Sequence, residues 1–194
     1  MAIRPIPDED LPQGDLWVFG YGSLMWRPGF DYIAEFPARL IGEHRALCVF
    51  SHHHRGTPEQ PGLVLGLDRG GTCQGTVFRV AETMRKATLD YLREREQITG
   101  VYREVLRSVW IEGDARERVQ ALAFVVDRSH PQYAGALTVE QQLHYVAHSH
   151  GASGANRDYV ISTVKTLEAR GCRDETLHRL VKLLQNEVPL QEAE

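Results

Sequence analysis

Several stretches of the chain carry residue types that could do chemistry. The first is Gly20-Tyr21-Gly22-Ser23-Leu24-Met25. Glycines on both sides of a tyrosine let the backbone turn sharply and come close to a ligand. Consecutive amide N–H groups in such a turn form a concavity that suits a carboxylate or a phosphate. A plain structural turn accounts for the same residues, and both readings stand at this point. No Gly-Lys-Ser/Thr follows and the spacing is not G-x-G-x-x-G, so the loop is neither a Walker loop nor a dinucleotide fingerprint.

Glu96 is the second candidate. At about 100° per residue it shares a helix flank with Leu89 and Leu92, whereas Glu94 points away. A carboxylate at the edge of a buried face is partly desolvated, which raises its pKa and makes it a better base near neutrality. The alternative is a solvated helix-end residue paired with Arg103. His52-His53-His54-Arg55-Gly56 raises the question of a metal. Neighbouring side chains in an extended segment point to opposite sides, so only His52 and His54 could share a face, and no third ligand stands at a familiar spacing. A polar loop in which His54 and Arg55 make hydrogen bonds fits better, and no metal is assigned. Last, the small-residue run 151–155 leads into Asn156, Asp158 and Tyr159. It reads either as a connector with a capping side chain or as a loop closing a pocket, with Tyr159 offering a hydroxyl.

The elements that must hold these residues follow from periodicity and punctuation. The apolar run 16–19 ends in glycine and reads as a buried strand entering a tight loop. Residues 39–50 form a second strand. Residues 62–67 and 73–80 read as a strand pair, with Asp68-Arg69-Gly70-Gly71 as the turn. A helix over 81–97 carries Met84, Thr88, Tyr91 and Leu92 at helical spacing, and Gly100 stops it. Strands at 105–111 and 119–126 flank a charged turn at Gly113-Asp114. Helices follow at 138–148, 156–169 and 174–186, with Thr138 and Gln141 in capping-box spacing. Strands first and helices later predict an α+β fold, a sheet or barrel with helices, in one domain spanning 1–194 with a polar lead-in at 1–14.

Composition narrows the function classes. Hydrophobic residues make up 42% and charged residues 25%, which suffices for a core. A net charge of −4 gives no support to a nucleic-acid partner. The three cysteines Cys48, Cys73 and Cys172 are widely spaced and odd in number, so they are expected to be reduced, buried thiols. Residues 1–14 lack the apolar core of a signal peptide, and no apolar run reaches membrane-spanning length. The expectation is a cytoplasmic protein without a membrane partner; its oligomeric state is left unassigned.

Taken together, the stretches carry a family likeness. Val18-Phe19-Gly20-Tyr21-Gly22-Ser23-Leu24-Met25-Trp26 resembles the opening signature of the ChaC family of glutathione-specific γ-glutamylcyclotransferases. His54-Arg55-Gly56-Thr57-Pro58 with Pro61-Gly62 is similar to its second stretch. Tyr91-Leu92, Arg95-Glu96 and Tyr102-Arg103 are similar to the segment holding its catalytic glutamate, and Gly151-Ala152-Ser153-Gly154 through Asn156 and Tyr159 to a late motif. The chain departs from the pattern at residues 97–101, where some members have a shorter, glycine-richer turn. His52 and His53 lie outside the pattern too, so no role transfers to them.

The resemblance implies a mixed fold on a small closed barrel with the substrate at one mouth. It implies release of 5-oxoproline and Cys-Gly from glutathione, without water, metal or organic cofactor. Glu96 would be the acid/base residue and Gly20, Tyr21, Gly22, Ser23, Leu24 and Met25 the substrate cradle, with Arg55 and Tyr159 as further candidates. The rivals are an enzyme for other γ-glutamyl peptides or amines, a non-catalytic binding module, and a His-cluster metal hydrolase.

Overall fold

The computed structural model describes residues 5–96, 99–113 and 117–187. They fall into two compact units, one from residues 5–46 and 66–133 and the other from residues 47–65 and 134–187. The expected helix end at Gln97 and the turn residue Asp114 lie outside the described residues.

A closed barrel is built from β1 (Leu16–Gly20), β2 (Ala34–Ser51), β3 (Gly62–Val80), β4 (Tyr102–Ile111) and β5 (Arg118–Val126), in the order β1-β3-β2-β4-β5. β1 runs antiparallel to β3, with Leu16 opposite Val80 and Gly20 opposite Thr76, and closes on β5 through a parallel pairing of Val18 with Leu122. β4 and β5 pair antiparallel along most of their length. In β2 Ala38 and Leu40 are buried, then Glu43, Arg45, Leu47 and Val49 on the following alternate positions, with Cys48 and Ser51 buried as well. The alternation changes parity at Ile41-Gly42, both exposed, where Gly42 has φ 105°. One extra residue in a strand does this: a bulge re-aims every later side chain. Here it turns Glu43 and Arg45 inward.

Residues 62–80 are one continuous strand, β3, rather than two strands and a turn. Gly70 and Gly71 do take positive φ, 102° and 70°. They kink the strand without reversing it, because the preceding Asp68 is anchored inside. Burial alone would raise the pKa of its carboxylate. Arg128 Nε at 2.7 Å, the Arg69 amide at 2.8 Å and the Tyr133 hydroxyl at 2.9 Å outweigh burial and hold it below its ordinary value.

α1 (Arg85–Glu96) follows a single 3-10 turn at Glu82–Met84, so the helix starts later than periodicity predicts. Its buried residues are Thr88, Leu89 and Leu92, while Met84 is exposed. Leu89 and Leu92 join a core of Leu11, Leu16, Val18, Leu24, Phe78, Val80, Leu122 and Phe124. The polar lead-in therefore contributes a core residue, Leu11, and Ile6 packs against the same cluster. Arg93 ties this segment to the helix. Its Nε and Nη2 each lie 3.0 Å from a carboxylate oxygen of Glu104, Nη1 lies 3.1 Å from Asp8, and Nη2 donates to the Ile6 carbonyl at 2.8 Å.

The second unit holds α2 (Val139–His148), the short hairpin of β6 (His150–Gly151) and β7 (Gly154–Ala155), α3 (Asn156–Ala169) and α4 (Glu175–Glu187). The expected capping box forms: the Gln141 amide donates to Thr138 Oγ1 and the Thr138 amide donates to Gln141 Oε1. The three helices pack against one another, and Val146, Val160, Val164, Leu167, Leu177, Leu180 and Leu184 on them are buried. All three cysteines are buried. Among the described residues no helix is long and apolar enough to cross a membrane.

The Glu104 side chain is fully buried against Arg93. Removing one member of such a pair leaves a charge without its partner. Arg93→Leu is therefore expected to cost about 3 kcal/mol in urea unfolding; a loss within experimental error would show that the pair does not anchor α1.

Candidate active site

The loop after β1 is shaped by close approach. A Cβ on Gly20 would lie 3.1 Å from the Leu24 Cβ and 3.3 Å from the Met25 nitrogen, so the chain folds back over a bare Cα. On the neighbouring strand, a Cβ on Gly75 would lie 2.3 Å from the Gly20 carbonyl oxygen, which no other residue could accommodate without a shift. Residues 23–25 form a 3-10 turn in which the Met25 amide donates to Gly22 O at 2.9 Å and the Arg27 amide to Ser23 O at 2.8 Å. Leu24 and Met25 are buried, so their side chains serve the core. Tyr21 is buried as well, and its carbonyl accepts from Arg45 Nε at 2.5 Å. Arg45 Nη2 reaches the Gln74 carbonyl at 2.6 Å, so one inward guanidinium fixes both sides of the loop's base. Sequence reasoning missed Arg45. The signal was the strand alternation after the Gly42 bulge, but a charged residue reads by default as outward-facing.

Glu96 ends α1, with 17% of its side chain exposed. Burial pushes its pKa above the ordinary glutamate value, and the charge of Arg95 opposes that only in part. The ion partner is Arg95, with Nε 3.1 Å from Glu96 Oε1, and not the Arg103 considered from sequence. The rest of the Arg95 guanidinium faces the loop. Nη2 donates to Ser23 Oγ at 2.9 Å, and Nη1 donates to the carbonyls of Arg27 at 2.6 Å and Pro28 at 3.2 Å and to Tyr91 Oη at 2.9 Å. The structure thus joins Glu96 and the 20–25 loop through one side chain. A cavity of 410 Å³ lies along the same helix, lined by Gly29, Phe30, Asp31, Met84, Ala87, Thr88 and Tyr91; Glu96 is not part of its lining.

Arg55 and Tyr159 lie in the second unit, where they meet each other. The guanidinium sits 5.1 Å from the Tyr159 ring centroid and donates to the Ser153 carbonyl at 2.5 Å, while the Tyr159 hydroxyl accepts from the Leu65 amide at 3.3 Å. His54 Nδ1 lies 3.0 Å from Ser153 Oγ, and the His52 ring stacks on Phe50. Among the described residues no His, Cys, Asp and Glu side chains gather in a group that could hold a metal. Asn156 is fully buried and does not cap its helix. Its amide imitates a strand instead: Oδ1 accepts from the Leu63 amide at 2.7 Å and Nδ2 donates to the Leu63 carbonyl at 2.8 Å.

Residues 16–187 match the family model described as ChaC-like protein. The chain belongs to the ChaC-like family. It is 34% identical over 195 residues to the glutathione-specific gamma-glutamylcyclotransferase of Escherichia coli (strain K12), covering 97% of this chain and 80% of that protein. It is 29% identical to glutathione-specific gamma-glutamylcyclotransferase 1 of Homo sapiens, over 95% of this chain and 87% of the relative. A crystal structure of a yeast gamma-glutamyl cyclotransferase specific to glutathione superposes with a TM-score of 0.80 at 20% identity, covering 93% of this chain and all of that one. The ChaC-like fold is therefore the α+β barrel expected from the motifs.

Two outcomes follow. Burial favours protonated Glu96, so its linked stabilisation is present below the ordinary glutamate pKa and is lost as pH rises through the raised value. Glu96→Gln, neutral and of the same shape, avoids that loss. Its unfolding midpoint in urea is expected to exceed wild type at neutral pH and to converge with it in acid; an equal gap at both would refute the assignment. Asn156→Ala strands two buried backbone groups of Leu63 and is expected to cost about 3 kcal/mol. Thermal unfolding checks it, and a neutral result would remove the strand-mimic role.

Proposed function

We propose that this ChaC-like chain cleaves glutathione to 5-oxoproline and Cys-Gly, with Glu96 as the general acid/base. The observation that carries the reading is the desolvated Glu96 carboxylate, coupled through Arg95 to the glycine-flanked loop at 20–25. The names of the relatives from Escherichia coli and Homo sapiens supply the substrate.

The chemistry proceeds in balanced steps. The γ-glutamyl α-ammonium loses a proton to the Glu96 carboxylate, whose raised pKa makes it a more effective acceptor near neutrality. The freed amine attacks the γ-carbonyl carbon and closes a five-membered ring. The resulting oxyanion collapses and the bond to the cysteinyl nitrogen breaks as Glu96 returns its proton to that nitrogen. The ring nitrogen, which still carries two hydrogens, then releases one through Glu96 to the departing amine, so the products are the neutral lactam and Cys-Gly as its ammonium. Water is not consumed, and no oxidant or reductant enters. Nucleophile and electrophile belong to one molecule, so holding them aligned supplies much of the acceleration.

The loop is the element that holds them. The Met25 amide is committed to Gly22 O, and the α-carboxylate or the oxyanion is assigned to the amides of residues 22–24. Leu24 and Met25 position those amides by anchoring the turn in the core. Arg55 and Tyr159 remain proposals as substrate contacts, and their mutual stacking favours a part in shaping the loop at 151–155.

The test is incubation with reduced glutathione in chelator-containing buffer, with 5-oxoproline and Cys-Gly quantified beside Glu96→Gln. Equal amounts of both products from wild type and about 1,000-fold less from the variant are expected. Product from both would keep the activity and remove Glu96 from its role. No product from either would turn the reading to other γ-glutamyl amines or to a binding module, and loss of product only with chelator would revive a metal hydrolase.

A further inference from the structure

Arg95 is the point where the two halves of the site meet, and every nitrogen of its guanidinium is in use. Nε faces Glu96, Nη2 faces Ser23, and Nη1 faces the Arg27 and Pro28 carbonyls and Tyr91. The Tyr91 ring lies 6.0 Å from the guanidinium carbon, one helical turn earlier on α1, and stiffens the side chain from below. A lysine could supply the charge but not this planar fork, which fixes several acceptors in a set geometry. We propose that Arg95 is a positioning residue that locks the loop spanning residues 20–28 to the glutamate-bearing end of α1, so that cradle and carboxylate keep one spacing. This rests on Glu96 and the loop being the working site.

The arrangement has two separable effects. The fork holds the loop: Ser23 is the first residue of the 3-10 turn, and its carbonyl accepts from Arg27, so a grip on Ser23 Oγ and on the Arg27 and Pro28 carbonyls spans the turn from end to end. The charge acts on Glu96. Among the described residues Arg95 is the charged group whose field reaches that carboxylate. The loop facing it offers Tyr21 and Ser23, contains no carboxylate, and carries its one cation, Arg27, with an exposed side chain. Arg95 thereby opposes the effect of burial and keeps Glu96 able to ionise.

Two variants divide these effects. Arg95→Lys keeps the charge and loses the fork. Its kcat on glutathione is expected to fall about 100-fold, with the acidic limb of the pH profile unmoved and faster hydrogen exchange at the Met25, Trp26 and Arg27 amides. Arg95→Gln loses both, so the same exchange increase appears and the acidic limb moves to higher pH. The titration is also read without turnover, from the carboxyl carbon resonance of Glu96, identified by its absence in Glu96→Gln. That resonance is expected to titrate at higher pH in Arg95→Gln than in wild type. If wild type fails to turn over glutathione, the exchange and titration readouts still judge Arg95, so the two readings fail separately. Wild-type exchange rates in both variants, or an unmoved Glu96 titration in Arg95→Gln, would overturn the proposal.

Discussion

A carboxylate on the last turn of a buried helix face is opposed by its surroundings. Burial removes the water that would stabilise its charge, and the helix C-terminus adds partial negative charge from its unsatisfied carbonyls. Glu96 is in this position. It could relieve the conflict by fraying into solvent, so the end of α1 has to be held. Three arginines hold the helix in three directions, Arg85 at its start and Arg93 and Arg95 in its last turn. Arg85 donates to the Pro12 and Gly14 carbonyls, Arg93 grips Glu104, Asp8 and the Ile6 carbonyl, and Arg95 grips the loop after β1. Leu89 and Leu92 seat the flank that carries Glu96 in the core. The segment ahead of β1 is therefore part of what keeps the carboxylate in place.

The loop is built from the barrel outward in the same manner. Gly20 and Gly75 let two backbones approach to a distance that any side chain would prevent. Arg45 fills the space beneath them, donating to the carbonyls of Tyr21 and Gln74. Its inward aim depends on the Gly42 bulge, which lies three residues earlier and on the other side of the parity change. A loop made only of its own turn bonds would sample many shapes. This one has a buried charge under one end and Arg95 across the other.

Local patterns in the chain carried much of this, and non-local ones did not. Helical spacing put Glu96 on the flank of Leu89 and Leu92, and both are buried. The capping box at Thr138 was legible because both partners lie within one turn. Gly70-Gly71 misled, because two glycines after an aspartate have the composition of a hairpin turn; what keeps β3 running is Asp68 bonded to Arg128 and Tyr133, some sixty residues away. Asn156 misled for the same reason. Its position suits a helix cap, but its amide is captured by Leu63 on a strand 93 residues earlier. Arg95 was visible as part of a motif, and its reach to Ser23, Arg27 and Pro28 needed the fold.

Under the proposed reaction, these features describe what a ring closure requires of a protein. The substrate carries its own nucleophile and its own electrophile, so the enzyme has no attacking group to provide. What remains is to fold the γ-glutamyl arm so that nitrogen meets carbonyl carbon, and to carry two protons, one after the other, from the attacking nitrogen to the leaving one. A single carboxylate can do the second task if it ionises and reprotonates within one turnover, which favours a pKa raised toward neutrality over an ordinary one. The first task depends on the distance between the cradle and that carboxylate. A site with one titrating residue therefore places its demand for accuracy on the side chain that sets the distance, and in this fold that side chain is Arg95.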